Sequence, residues 1–107
     1  MSILIKYKDL WQRIPVDQIV YISTTNRPHL IQVKTVHNLY VVYDSLHNIK
    51  SKSDKLMFCN KSVVINIDYI ERIELKLLKL HFFDAAKTCF TCSRRRFREI
   101  TKAWESL

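Results

Sequence analysis

The segment CFTCSRRRF, Cys89 to Phe97, sets two chemistries side by side. Two cysteines three positions apart match the spacing of zinc ligands and of dithiol redox centres. The three arginines that follow carry guanidinium forks suited to phosphate oxygens and to the O6/N7 edge of guanine. A thiol centre needs more than this segment offers. In a strand, residues i and i+3 face opposite sides, so Cys89 and Cys92 could neither chelate one ion nor bond to each other. Zinc needs two further ligands, and the available Cys59 and His81 belong to no second closely spaced pair. A thioredoxin-like site starts a helix after a strand within a βαβ pattern, and that context is missing. Structural packing is the reading that suits the cysteines, with a reversible disulfide between Cys59 and one of the others as a modulating element. A redox or zinc protein centred on Cys89 and Cys92 stands as the rival.

The arginines sit at the start of an amphipathic stretch. Phe97, Ile100, Trp104 and Leu107 recur at helical spacing, with Ser93 as the N-cap. Arg94, Arg95 and Arg96 then occupy the first helical turn, where the macrodipole disfavours cations and the three charges repel one another. The bland alternative is a solvated charge run. Their place at the helix start, the use of arginine rather than lysine, and the adjacent apolar anchor Phe97 favour phosphate or guanine recognition.

Charge and composition agree with a polyanionic partner. The 107 residues carry a formal net charge of +8, and apolar residues make up 48% of the chain. That length and apolar content suit one domain, spanning 1–107, with one core. Residues 1–54 hold seven Lys/Arg against four Asp/Glu, and residues 55–107 hold eleven against six, so the excess is +3 and then +5. Four of the later positives fall within Arg94–Arg98. The chain has no glycine, which excludes glycine-rich phosphate loops and the nucleotide-binding folds built on them. No apolar run approaches the roughly 20 residues of a membrane span, and the N-terminus has no signal-like core. An odd number of cysteines, three, is no secreted disulfide framework, so a cytoplasmic protein without cofactor or metal is expected. No nucleophile–base pair or paired acids stand out, and the chain does not read as an enzyme. A generic basic RNA-binding or anionic-surface module is a further alternative on charge alone.

The elements that position these residues are mostly β. Asp17–Ser23 and His29–Thr35 are β-branched or alternating runs around the loop signal TTNRP, and VHN, with Asn38 at positive φ, turns the chain into LYVVY. Asp44 or Ser45 caps a short helix with Leu46 and Ile49 inward. Val63, Ile65, Ile67 and Tyr69 then alternate as in a strand. In ERIELKLLKLHFF, Ile70, Ile73, Leu77 and Leu80 fit a helical stripe while Ile73, Leu75 and Leu77 fit a strand, so periodicity leaves this segment open. Asp84–Lys87 reads as a hairpin turn.

The order of these blocks resembles the LytTR family of bacterial DNA-binding domains, the output modules of many two-component response regulators. IPVDQIVYI is similar to the family's opening strand. YDSLHNI followed by FCNKSVVINIDYI resembles its short helix and the aromatic, polar pair, serine, aliphatics and asparagine after it. CSRRRFREI resembles its C-terminal Ser-Arg motif. Two departures stand out: CNKS replaces the more usual His with Arg or Asn before the serine, and DAAK replaces a glycine-containing turn.

The resemblance implies an elongated antiparallel β-sheet stack with a short internal helix and a C-terminal helix, and it resolves the ambiguous segment to strand. It also implies sequence-specific binding of double-stranded DNA, at a promoter carrying tandem repeats and with a homodimer as one arrangement, through loops set in successive major grooves. By motif position these loops hold Arg27 and His29, then Asn60, Lys61 and Ser62, then Ser93, Arg94, Arg95 and Arg96. Arg95 takes the base-reading position after Ser-Arg. Arg94 and Arg96 hold phosphates or lay their stems on the sheet. For Asn60 the alternative is a structural turn residue. His37, His47 and His81 read as ordinary surface or strand histidines, and Asn66 as a structural hydrogen-bonding residue.

Overall fold

A computed structural model describes residues 1–107. Its first element is a hairpin of β1 (Ser2–Tyr7) and β2 (Leu10–Pro15), which stands as a two-stranded sheet of its own. A single 3-10 turn, Val16–Gln18, leads into β3 (Ile19–Thr24), β4 (Leu30–Thr35) and β5 (Leu39–Tyr43). The short helix α1 (Leu46–Lys50) precedes β6 (Leu56–Asn60) and β7 (Val63–Asn66). A second 3-10 turn, Ile67–Tyr69, separates β7 from β8 (Ile70–Glu74), β9 (Lys79–Phe82) and β10 (Cys89–Thr91). Helix α2 (Arg94–Glu105) ends the chain.

All strand pairs are antiparallel, in a five-stranded sheet ordered β5-β4-β3-β7-β6 and a three-stranded sheet ordered β10-β9-β8. The five-stranded sheet is the middle layer. One face, through Ile19, Ile22, Ile31, Val33, Val42 and Val64, packs against Ile3, Ile5 and Ile14 of the first hairpin and Leu46 and Ile49 of α1. The other, through Val20, Val63 and Ile65, packs against Leu80 and Phe82 of the smaller sheet and Phe97 and Ile100 of α2. This is why β7 is buried at every position. The register shift in β3 between Ile19 and Tyr21 explains how Ile19 and Ile22, three apart, reach the same core. Stacking three layers end to end gives a molecule of 44 × 26 × 25 Å, the elongated β stack expected.

Helix α1 forms as its sequence implies: Ser45 Oγ accepts from Asn48 N at 3.0 Å, and Leu46 and Ile49 are buried. In α2, Ser93 is the N-cap by position but its side chain makes no capping bond. What holds the helix is packing. Burying Phe97 and Ile100 is worth about 1.5–3 kcal/mol each, against about 0.3–1 kcal/mol for each misplaced cation in the first turn. Trp104 anchors the far end by donating to Ile70 O at 3.2 Å, while Leu107 lies beyond the helix and is exposed.

Four expectations are corrected. The first hairpin was not expected: only its inward Ile3 and Ile5 alternate cleanly, and exposed Leu4, Leu10 and Trp11 blur the period of two. Asn38 does not adopt positive φ, because Thr35 Oγ1 accepts from Asn38 N at 3.0 Å and closes that turn by another route. The alternation from Val63 to Tyr69 is not one strand. Asn66 breaks it by accepting from Asp68 N at 3.0 Å, opening the second 3-10 turn, and the period persists because the turn also buries Ile67. Lastly, the ambiguous segment is a hairpin, but Leu75 and Leu77 lie in its exposed turn, and Leu78 there has φ 55.

Candidate nucleic-acid interface

Antiparallel pairing brings the three candidate loops to one edge of the middle sheet. Ser23 of β3 pairs with Val63 of β7, and Thr24 N donates to Ser62 O at 2.9 Å, so the β3–β4 loop and the β6–β7 turn are neighbours. Leu30 pairs with Tyr43, which places the start of α1 at the same edge. Ser93 N donates to Cys59 O at 3.1 Å and brings the start of α2 beside them.

The first loop is a shaped one. Thr25 Oγ1 donates to Leu30 O at 2.7 Å and accepts from Arg27 N at 3.1 Å, while His29 has φ 62 and its carbonyl accepts from Asp44 N at 3.0 Å. Both Arg27 and His29 are exposed. In the second loop Lys61 is exposed at the tip. Asn60 serves as the turn residue: its Oδ1 accepts from Ser62 N at 2.8 Å and its Nδ2 donates to Thr91 O at 3.1 Å. Ser62 is half-buried.

At the start of α2, Ser93, Arg94 and Arg95 are exposed and Arg96 is half-buried. Glu99, one turn on, faces both Arg95 (Nε to Oε1 3.7 Å) and Arg96 (Nη1 to Oε2 3.5 Å). Such exposed pairs are weak and leave both guanidiniums available. Two open clefts connect the loops. One of about 500 Å³ lies among Arg27, His29, the start of α1 and Lys61. Another of about 540 Å³ lies among Lys61, Asn60, Ser93, Arg95 and Arg96. The acid in the first cleft, Asp44, is occupied by Ser45 N at 2.7 Å and Asn48 Nδ2 at 2.8 Å. The surface can therefore offer exposed cationic donors, which suits an anionic, hydrogen-bond-accepting ligand.

Beneath this edge lie the thiols. Cys89 is exposed, whereas Cys59 and Cys92 are buried with their sulfurs 2.8 Å apart. The hydrogen bond between them and burial push the Cys59 thiol well up, while the same bond lowers Cys92. The sequence set Cys59 with one of the other two cysteines, and the fold makes Cys92 the neighbour, both as free thiols. Cys89→Ser is expected to change stability by less than about 0.5 kcal/mol, and Cys92→Ser to cost about 1–2 kcal/mol. Both should leave duplex binding of the folded protein intact. Urea titration and anisotropy on each variant check this, and stoichiometric zinc lost together with folding in either one would contradict it.

The family model of the LytTr DNA-binding domain matches residues 10–105. The chain belongs to the LytTR family. A solved structure from Bacillus cereus, described as the LytTr DNA-binding domain of a methyl-accepting/DNA response regulator, superposes on this LytTR domain with a TM-score of 0.72. The match covers 94% of this chain and 95% of that one at 16% identity, so it speaks to the shared fold. Comparison with curated protein sequences gives no match. No helix of this LytTR domain is long and apolar enough to cross a membrane.

One feature of the edge escaped the sequence reading. His47, set aside there as a surface histidine, lines both clefts together with Phe58 and Lys61. Its position four residues after the end of β5 carried no signal, because only the folded sheet sets α1 beside β6.

Proposed function

We propose that this LytTR domain, with residues 1–107 acting as one unit, regulates transcription in the cytoplasm by binding promoter DNA sequence-specifically. Its three loops enter successive major grooves on one face of the duplex. Arg95 reads a guanine, and Lys61 and His29 read or flank bases on either side. Arg27, Arg94 and Arg96 hold phosphates. Ser62 and Ser93 donate to the backbone nearby, and Asn60 shapes the turn that presents Lys61. Tandem repeats in the promoter would seat two copies, as a homodimer on DNA. No catalytic step, metal or cofactor enters this role.

The observation that carries the reading is the convergence of Arg27 and Lys61, on two loops, with Arg94, Arg95 and Arg96, in the first turn of α2, at a single sheet edge. Loop tips anchored to a rigid sheet keep a fixed spacing, which is what a helical ligand with a regular repeat requires. A thiol-centred function has less support, since Cys59 and Cys92 are buried and only Cys89 is exposed. The test is the salt dependence of duplex binding. Each phosphate neutralised contributes a slope of about −0.9 in log affinity against log salt, so about −4 to −6 is expected. A nearly flat response would refute the reading.

A further inference from the structure

One cation and one imidazole at the edge share a single aromatic ring. Phe58, in β6, is half-buried and packs its inner side against the first core. The Arg96 guanidinium carbon lies 5.4 Å from the centre of the Phe58 ring, and the His47 ring lies 4.8 Å from it at a tilt of 49°. His47, Phe58 and Lys61 form the wall common to both clefts, so they stand between the first loop and the start of α2. A ligand spanning those two loops must pass over this wall.

We propose that Phe58 is a positioning residue of the interface, aiming Arg96 at the duplex, and that His47 is a further DNA contact delivered by α1. The proposal rests on the DNA-binding reading above. Burial against the core would be served equally by leucine or methionine. What an aromatic ring adds is a negative face, which attracts a guanidinium and fixes an otherwise mobile side chain. The competing partner of Arg96 is Glu99 at 3.5 Å, an exposed ion pair that holds little by itself. His47 makes no side-chain hydrogen bond within the protein, so its ring N–H is free for a phosphate or base acceptor, and its ring sits on Phe58 rather than in open solvent. Arg96 would hold its phosphate through the orientation the ring gives it.

The test measures affinity of the whole chain for a duplex selected from a randomised pool and for its scrambled counterpart, at one salt concentration. Phe58→Leu is expected to weaken both by about 3- to 10-fold. Phe58→Tyr, which keeps the ring face, should stay within about twofold of wild type. In a double-mutant cycle, Phe58→Leu with Arg96→Ala should bind about as well as Arg96→Ala alone, because the ring acts through the arginine. His47→Ala, a surface change, should weaken both duplexes by about 2- to 10-fold. If Phe58→Leu proves unfolded by thermal melting, Phe58→Met replaces it in the same cycle. Tyrosine behaving like leucine, or losses that add in full, would overturn the positioning role, and a silent His47→Ala would overturn the contact. Wild-type protein that binds neither duplex would overturn the function reading and this proposal with it. Wild type that binds while these variants behave as wild type overturns this proposal alone.

Discussion

Arg95→Ala is expected to weaken binding to the preferred duplex by about 10- to 100-fold, and to weaken a scrambled duplex far less. A bidentate arginine–guanine pair discriminates by about 1–3 kcal/mol, and each 1.4 kcal/mol is tenfold. Arg95 is suited to that part because it is open: its side chain is 78% exposed, against 35% for Arg96. Its one neighbour, Glu99, is 3.7 Å away and gives it up at little cost. Arg94→Ala and Arg96→Ala should lower affinity for both duplexes by similar factors, since phosphates carry no sequence information. Anisotropy titrations of the three variants on both duplexes at one salt concentration decide the matter. Equal losses on both duplexes for Arg95→Ala would make Arg95 a positioning residue and move specificity to another loop.

The second large effect concerns the fold. Asn66 is wholly buried, and its amide closes three hydrogen bonds. Nδ2 donates to Val16 O at 3.2 Å and to Ile19 O at 2.9 Å, and Oδ1 accepts from Asp68 N at 3.0 Å. One side chain thus ties the end of β7 to both ends of the first 3-10 turn, locking β7 where it leaves the middle sheet to β3 where it enters. Asn66→Ala leaves Ile19 O and Asp68 N without this partner, at about 1–3 kcal/mol each when unsatisfied, while Val16 O keeps its bond from Ile19 N, so a loss of about 2–5 kcal/mol is expected. Asn66→Asp is the stricter variant. It keeps the shape but turns the donor toward the two carbonyls into an acceptor, and at neutral pH it should be at least as damaging. Urea denaturation measures both, and a loss below about 1 kcal/mol would mean that water or backbone adjustment replaces these bonds.

How far the sequence exposed all this depended on whether the deciding interaction was local. The capped turn at Ser45, the stripe of Phe97, Ile100 and Trp104, and the Asp84–Lys87 turn are written in neighbouring residues, and each forms as expected. The three loops were placed by motif resemblance, and the fold sets them at one edge. Long-range features were hidden. Nothing within ten residues of Cys59 selects Cys92 over Cys89 as its neighbour, and nothing near Phe58 points to Arg96. The alternation through Ile67 misled because both faces of the middle sheet are covered, so apolar residues continue past the strand's end.

The first loop carries a consequence for binding thermodynamics. His29 holds a left-handed φ of 62 without being glycine, a conformation that local preference opposes by about 1–2 kcal/mol. It persists because Thr25 Oγ1, Asp44 N and the fixed ring of Pro28 over-determine the path from Thr24 to Leu30. The loop's ordering entropy is therefore lost when the chain folds, not when a ligand arrives. A flexible loop would have to order its backbone at about 1–2 kcal/mol per residue on binding. This one meets its target already shaped, so its contacts go more fully into affinity, and its association should show little of the unfavourable entropy of coupled folding.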